Sequence, residues 1–284
     1  SKITVRILSR QRDEKIDQPF FVRTLKIAKD LRTRLAGGSS VYRAFFAESE
    51  GIPGLIVDRY HEHLVVQLLT LGVDVRRNEI LAALIDLYRP KGIFETSNVR
   101  GREPEGLEPR HENVYGEVPP VIEIQLDGIR FRVDIVKGQK TGFFLDQREN
   151  RRRFSAYIRP GDRVLDCFCY TGSFALYAAM NGAEVRAIDA SKRAIDIAAE
   201  TARLNGIESH CRFEVAEAFE WLNHRVAAAD AFDVVNLDPP AFAKERSNVQ
   251  HALRGYRALN HLAIRLIAPG GFLMSSSCSQ LIEE

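Results

Sequence analysis

The chain is short of several things, and each shortage excludes a class of protein. Its 284 residues include four cysteines, at 167, 169, 211 and 278, too few and too scattered for a disulfide framework. Cys167 and Cys169 have no second close pair to complete a zinc site, so no metal is expected, and the thiols read as reduced groups of a cytoplasmic protein. No apolar run approaches the ~20 residues that span a bilayer, and no signal peptide opens the sequence. Charge of one sign is also lacking: 40 Lys and Arg against 38 Asp and Glu leave a net +2. A nucleic-acid partner must therefore be held by local basic patches. The chain starts at Ser1 without methionine, already in strand-like sequence, and reads as trimmed. What is present is 45% hydrophobic residues, enough for two domains with real cores.

One further absence shapes the functional reading. Residues 164–174, Val-Leu-Asp-Cys-Phe-Cys-Tyr-Thr-Gly-Ser-Phe, read as a buried strand, a turn at Thr171-Gly172 and a helix N-terminus. This is the nucleotide-binding corner of a Rossmann-like, doubly wound α/β sheet, unless it is an ordinary strand-to-helix turn. It lacks the G-x-G-x-x-G spacing that admits a pyrophosphate. A cofactor with adenosine but no phosphate fits better, its carboxylate near the helix N-terminus, and S-adenosylmethionine is such a cofactor.

Ahead of this corner lies a small α+β region. Residues 3–8 alternate like a leftover strand. Residues 19–36 form an amphipathic helix with Phe21, Leu25, Ala28, Leu31 and Leu35 on one stripe and a basic face that is either solvated or turned to nucleic acid. A strand meander over 42–69, a helix over 77–88 and a strand at 92–95 follow. His61 and His63 sit in a hairpin turn with no third ligand. Residues 98–115 read as a polar loop whose Arg100, Arg102 and Arg110 could touch phosphate. Asp127-Gly128 between alternating runs predicts a hairpin over 122–136, and a helix is suggested over 146–157.

After the corner, strands and helices alternate. Strands are expected at 184–189, 212–215, 233–238 and 272–276, and helices at 191–204, 217–221 and 250–268, giving a parallel sheet with ligands at the strands' carboxyl ends. Asp189 ends the second strand, where it either binds both ribose hydroxyls or caps the next helix. The same acid suits NAD, against which the missing glycines count. Glu217, ending the third strand, is placed to meet an adenine edge. Asp238-Pro239-Pro240 makes a stiff lip suited to a planar base, since proline removes backbone donors. Cys278 follows the fifth strand and so lies beside Asp238. A thiolate there can add to carbon 6 of a pyrimidine and make carbon 5 nucleophilic, though a lone cysteine is commonly an inert core residue.

Taken together, Lys140-Thr-Gly-Phe-Phe-Leu-Asp-Gln-Arg, Asp166-Cys-Phe-Cys-Tyr-Thr-Gly-Ser-Phe, Asp238-Pro-Pro-Ala-Phe and Ser277-Cys-Ser resemble the S-adenosylmethionine-dependent large-subunit ribosomal RNA cytosine-C5 methyltransferases. Gly51-Ile-Pro-Gly-Leu-Ile-Val-Asp-Arg extends the likeness over nearly the whole chain. The resemblance implies that Thr141, Phe143, Asp146 and Gln147 line the cofactor site. Asp166, Phe168 and Gly172 would hold the methionine end and Asp189 the ribose, with Tyr170, Thr171, Glu217 and Asp238 also counted among the cofactor-binding residues. Cys278 would be the nucleophile, with Asp238 beside it.

Three departures stand out. Ala241-Phe242 replaces a second cysteine after the proline pair, Glu217 stands where aspartate is common, and the family's N-terminal PUA-type domain and last two strands are not evident. The implied divisions are 1–14, a remnant of the PUA-type domain; 15–118, the α+β domain; 119–139, the hairpin linker; and 140–284, the methyltransferase domain, C-terminally truncated. Ribosomal RNA is expected to approach across Arg148, Arg151, Arg152, Arg153, Lys244, Arg246 and Arg254. The alternatives are a base-nitrogen (guanine-N7 type) methyltransferase, which needs no cysteine, and a non-catalytic RNA-binding assembly factor.

Overall fold

The computed structural model describes residues 5–35, 37–98, 100–242 and 248–279. It separates into two compact units, 1–127 with 133–146, and 128–132 with 147–284. The division passes through the hairpin, so residues 133–146 cluster with the first unit.

In the first unit, α1 (Gln18–Leu35) precedes β1 (Val41–Phe46), β2 (Leu55–Tyr60) and β3 (His63–Leu68). A short α2 (Leu71–Asp74) and α3 (Arg77–Tyr88) lead to β4 (Gly92–Ser97) and β5 (Arg110–Gly116). The strands form one sheet in order β1-β2-β3-β4-β5, and only the β3–β4 pair, which the two helices connect, is parallel. α1 buries Phe20, Phe21, Leu25 and Ala28 in a core shared with Leu55, Val57, Ile80 and Leu84. Leu31 and Leu35, expected on the same stripe, are exposed. Much of the helix's basic face is engaged: Arg23 pairs with Glu14, Lys26 with Asp30 and Arg32 with Glu50.

Three expectations fail here. Residues 5–8 form no strand; residues 1–4 lie outside the described ones. The polar stretch after Ser97 is not all loop, because β5 pairs antiparallel with β4 along its length. β5 is mostly exposed, so its sequence carries no apolar alternation, and backbone hydrogen bonding to a fully buried neighbour makes it a strand. Arg102 is not available to phosphate. It is buried, donating to the Glu108 and Leu68 carbonyls and to Asp74.

β6 (Val121–Leu126) and β7 (Ile129–Asp134) form the two-stranded hairpin. Asp127 and Gly128 both have positive φ, 53° and 84°, the backbone of the turn that matches strand twist.

The second unit alternates as expected: α4 (Arg148–Ala156), β8 (Arg163–Cys167), α5 (Ser173–Met180), β9 (Glu184–Asp189), α6 (Lys192–Leu204), β10 (Cys211–Val215), α7 (Ala218–Ala227), β11 (Phe232–Leu237), α8 (Val249–Ile264) and β12 (Ile267–Ser275). The five strands are parallel, in order β10-β9-β8-β11-β12. This is a Rossmann-like sheet. α8 ends before the expected Ala268. Its successor strand takes in Pro269-Gly270-Gly271 as an irregularity, Ile267 pairing with Phe232 and Phe272 with Val234. From β8 the chain moves toward β9, and from β11 toward β12, so a crevice opens at the carboxyl ends of the adjacent β8 and β11.

Candidate active site

The crevice is built by the loop over residues 168–172. Phe168, Tyr170 and Gly172 all take left-handed backbone, at φ of 62°, 50° and 75°. For two non-glycine residues this conformation costs of order 1 kcal/mol each. Hydrogen bonds hold it: Cys169 N–H donates to the Ile188 carbonyl at 3.0 Å, Tyr170 N–H to Asp189 Oδ2 at 2.9 Å, and Gly172 N–H to the Cys169 carbonyl at 2.8 Å. Gly172 is required sterically as well. A Cβ there would lie 2.9 Å from Ala198 Cβ and 3.0 Å from Phe213 Cε1.

Asp166 is the hub of this corner. Its side chain is 1% exposed. Oδ2 accepts the Ala175 N–H at 3.0 Å, capping α5 from outside the helix, and Oδ1 accepts the Asn236 side-chain N–H at 2.7 Å, linking β8 to β11. Burial pushes this carboxyl up to about 7, against the hydrogen bonds from Asn236 and Ala175 and with added repulsion from Asp238 and Asp189.

Asp189 ends β9 half-buried. Besides the Tyr170 N–H, it accepts the Ser191 N–H on Oδ1 at 2.8 Å. Each oxygen keeps a second lone pair, so ribose hydroxyls can still be accepted. The helix cap proper is Ser191, whose Oγ accepts the Ala194 N–H at 3.3 Å. Glu217 is exposed and caps α7, Oε2 accepting the Glu220 N–H at 3.0 Å, which leaves Oε1 for an adenine edge.

Across the crevice, Asp238-Pro239-Pro240 follows β11, with Asp238 half-buried. Beyond β12, Cys278 is exposed, and its thiol donates to the Pro239 carbonyl at 3.7 Å. Cys167 and Cys169 are buried, and burial raises both thiols well above the ordinary value; Cys211 is pushed up to about 12. Among the four, Cys278 is the accessible sulfur. Ser279, buried beside it, shares a 2.9 Å hydrogen bond with the Tyr256 hydroxyl. Phe242 packs on Tyr256 at 4.6 Å between ring centroids and on Phe219 at 6.3 Å. Sequence reading missed this aromatic row, since nothing local marks Tyr256 as the anchor of a loop 23 residues away.

The remaining expected residues are placed as follows. Thr141 and Phe143 belong to the first unit and are buried. The Thr141 hydroxyl donates to Asp58 Oδ2 at 2.5 Å, and Asp58 also receives a bidentate pair from Arg43 at 2.9 Å for each bond. Asp146, in the same unit, is exposed, with Lys140 at 3.9 Å; Gln147 opens the second unit, half-buried. Thr171 is buried within the corner.

The expected basic patch does not hold as drawn. Arg151 is fully buried, its guanidinium 5.9 Å from the Tyr177 ring, because its place on α4 faces the core beside Phe154. Arg152 and Arg153 are exposed but share Glu149, Arg148 is half-buried, and Arg254 is exposed on α8. Lys244 and Arg246 lie outside the described residues. No helix is long and apolar enough to cross a membrane, and no cluster of potential metal ligands is found, both among the described residues.

A parallel sheet with a phosphate-free corner, a strand-end acid and a stiff Asp-Pro-Pro lip defines the class: this is an S-adenosylmethionine-dependent methyltransferase. The S-adenosylmethionine-dependent methyltransferase family pattern matches residues 108–282. The crystal structure of "SMU.776, a putative methyltransferase complexed with SAH" superposes with a TM-score of 0.82 at 25% identity, over 94% of this chain and 69% of its own. The ribosomal RNA large subunit methyltransferase I of Aeromonas hydrophila is 44% identical over all of this chain and 73% of its own length. That of Tolumonas auensis is 43% identical over 99% of this chain and 72% of its own. The chain belongs to the ribosomal RNA large subunit methyltransferase I family.

Proposed function

We propose that this chain methylates carbon 5 of a cytosine in large-subunit ribosomal RNA, in the cytoplasm, through a covalent adduct at Cys278. The observation that carries the reading is the exposed Cys278 thiol, 3.7 Å from the Pro239 carbonyl of the lip beside the cofactor crevice. The names of the relatives supply the ribosomal RNA.

S-adenosylmethionine supplies an electrophilic methyl group when bound. Asp189 and Glu217 offer acceptors to its ribose and adenine, and the N-terminus of α5 favours its carboxylate. The Cys278 thiol loses its proton and the thiolate adds to carbon 6 of the base. Electron density moves to carbon 5, which takes the methyl group as S-adenosylhomocysteine leaves. Water then takes the carbon 5 proton, its bonding pair expels the thiolate and restores the aromatic base, and the thiolate regains a proton from solvent. In this reading Asp238 orients the exocyclic amine of cytosine while the proline pair keeps the lip rigid.

Tritium release from large-subunit RNA labelled at cytosine carbon 5 tests this. Release that requires both S-adenosylmethionine and Cys278 is expected. Methyl incorporation without release moves the chemistry to a base nitrogen or ribose, and no incorporation leaves an RNA-binding factor.

A further inference from the structure

The first unit carries an accumulation of positive charge that its own carboxylates do not neutralise. Lys29 on α1 and Arg59 on β2 gather around the half-buried rings of Tyr42 and Tyr88, and Arg89, just beyond α3, is near enough to act electrostatically on Lys29. The Lys29 ammonium is 5.0 Å from the Tyr88 ring centroid, and the Arg59 guanidinium is 5.8 Å from both Tyr42 and Tyr88. Neutral groups fix the cations. Lys29 donates to the Leu87 carbonyl at 2.7 Å, and Arg59 to the His61 carbonyl at 2.8 Å and the Tyr42 hydroxyl at 3.1 Å.

No carboxylate of the described residues lies within 4.0 Å of these three cations. The acids near them are already engaged, Asp30 with Lys26, Glu50 with Arg32 and Glu62 with Lys91. The carboxyl end of α3 contributes about half a negative charge, far short of three positive ones. Repulsion is visible at Lys29, whose ammonium is shifted down by burial first and then by Arg59, with Asp30 opposing the shift and Lys26 and Arg89 adding to it.

Arg89 adds an independent sign. It ends α3 in left-handed backbone, at φ 46°, a position that suits glycine, and it precedes Pro90, which favours extended backbone at the residue before it. An arginine stands where local conformation disfavours it.

Cations held without counter-ions and interleaved with aromatic faces match the chemistry of single-stranded RNA, whose phosphates need the charge and whose bases stack on the rings. We propose that Lys29, Arg59 and Arg89, with Tyr42 and Tyr88, form an RNA-docking surface on the first unit. This rests on the reading that the substrate is ribosomal RNA.

The test uses a fluorescein-labelled single-stranded 20-nucleotide RNA and the full chain, with affinity measured against salt concentration. Each lost phosphate contact lowers the logarithmic salt slope by about 0.7 on single strands. The double variant Lys29→Gln/Arg59→Gln is therefore expected to lower it by about 1.4 and to weaken binding roughly tenfold at low salt. Arg89→Gly separates binding from folding, because relief of the left-handed backbone raises the melting temperature while RNA affinity falls. An unchanged salt slope in both variants, with S-adenosylmethionine binding intact, overturns the proposal. Wild-type protein that binds this RNA but never methylates ribosomal RNA overturns the proposed function and leaves the docking surface standing.

Discussion

Asp166 should make the stability of the second unit fall as pH rises, and replacing it with asparagine should abolish that fall. A carboxyl whose ordinary value of 3.8 is pushed up to about 7 costs the folded state about 4 kcal/mol once ionised, at 1.36 kcal/mol for each tenfold change in proton affinity. The sign follows from proton counts. Between pH 4 and pH 7 the folded chain holds a proton on Asp166 that the unfolded chain has lost, so the contribution declines with rising pH and levels off above 7. Asp166→Asn is neutral throughout. Its carbonyl can still accept the Ala175 N–H, and its amide can donate to Asn236 Oδ1, which has no hydrogen-bond partner among the described residues once Asn236 has donated to Asp166. Trp221, the chain's single tryptophan, is buried in the second unit's core and reports that unit's unfolding in urea. The stability of the variant minus that of wild type should rise by about 4 kcal/mol from pH 4 to pH 8. All other titrating groups are shared and cancel. Parallel curves within about 1 kcal/mol would refute the claim that burial governs this carboxyl.

Two more outcomes follow from the site. Gly172→Ala should cost about 1–3 kcal/mol by the same fluorescence assay and weaken S-adenosylmethionine binding measured by calorimetry, because φ is 75° and the added Cβ meets Ala198 at 2.9 Å. Tyr256→Phe removes the hydrogen bond that anchors Ser279, so it should lower kcat about tenfold with little change in the KM for S-adenosylmethionine, and change the rate at which iodoacetamide alkylates the exposed Cys278. An unaltered alkylation rate with an unaltered kcat would remove Tyr256 from the positioning of the cysteine loop.

Local sequence by itself determined the alternating strands and helices of the second unit, because buried parallel strands read as continuous apolar runs and their helices carry visible caps such as Ser191. It also determined the hairpin at Asp127-Gly128, where two consecutive left-handed residues admit few alternatives. Asp189, Asp238 and Cys278 were legible as strand-end residues for the same reason: period and punctuation place them.

Tertiary structure alone decided which polar side chains are spent inside the fold. Asp166 lies within an apolar strand and Arg151 in polar-looking sequence, and both are buried, the first paired with Asn236 from a strand 70 positions on, the second by the facing of α4 toward the core. Thr141 and Asp58 meet across 83 residues, a contact no local pattern encodes. β5 is a strand only because β4 offers it a hydrogen-bonding edge. The cationic cluster of Lys29, Arg59 and Arg89 is dispersed over a helix, a strand and a helix end, and it becomes one electrostatic feature only when the sheet brings those elements together. Short-range periodicity fixes elements, because it acts through neighbours a few residues apart. Charge compensation acts through space, and the chain must be folded before it can be read.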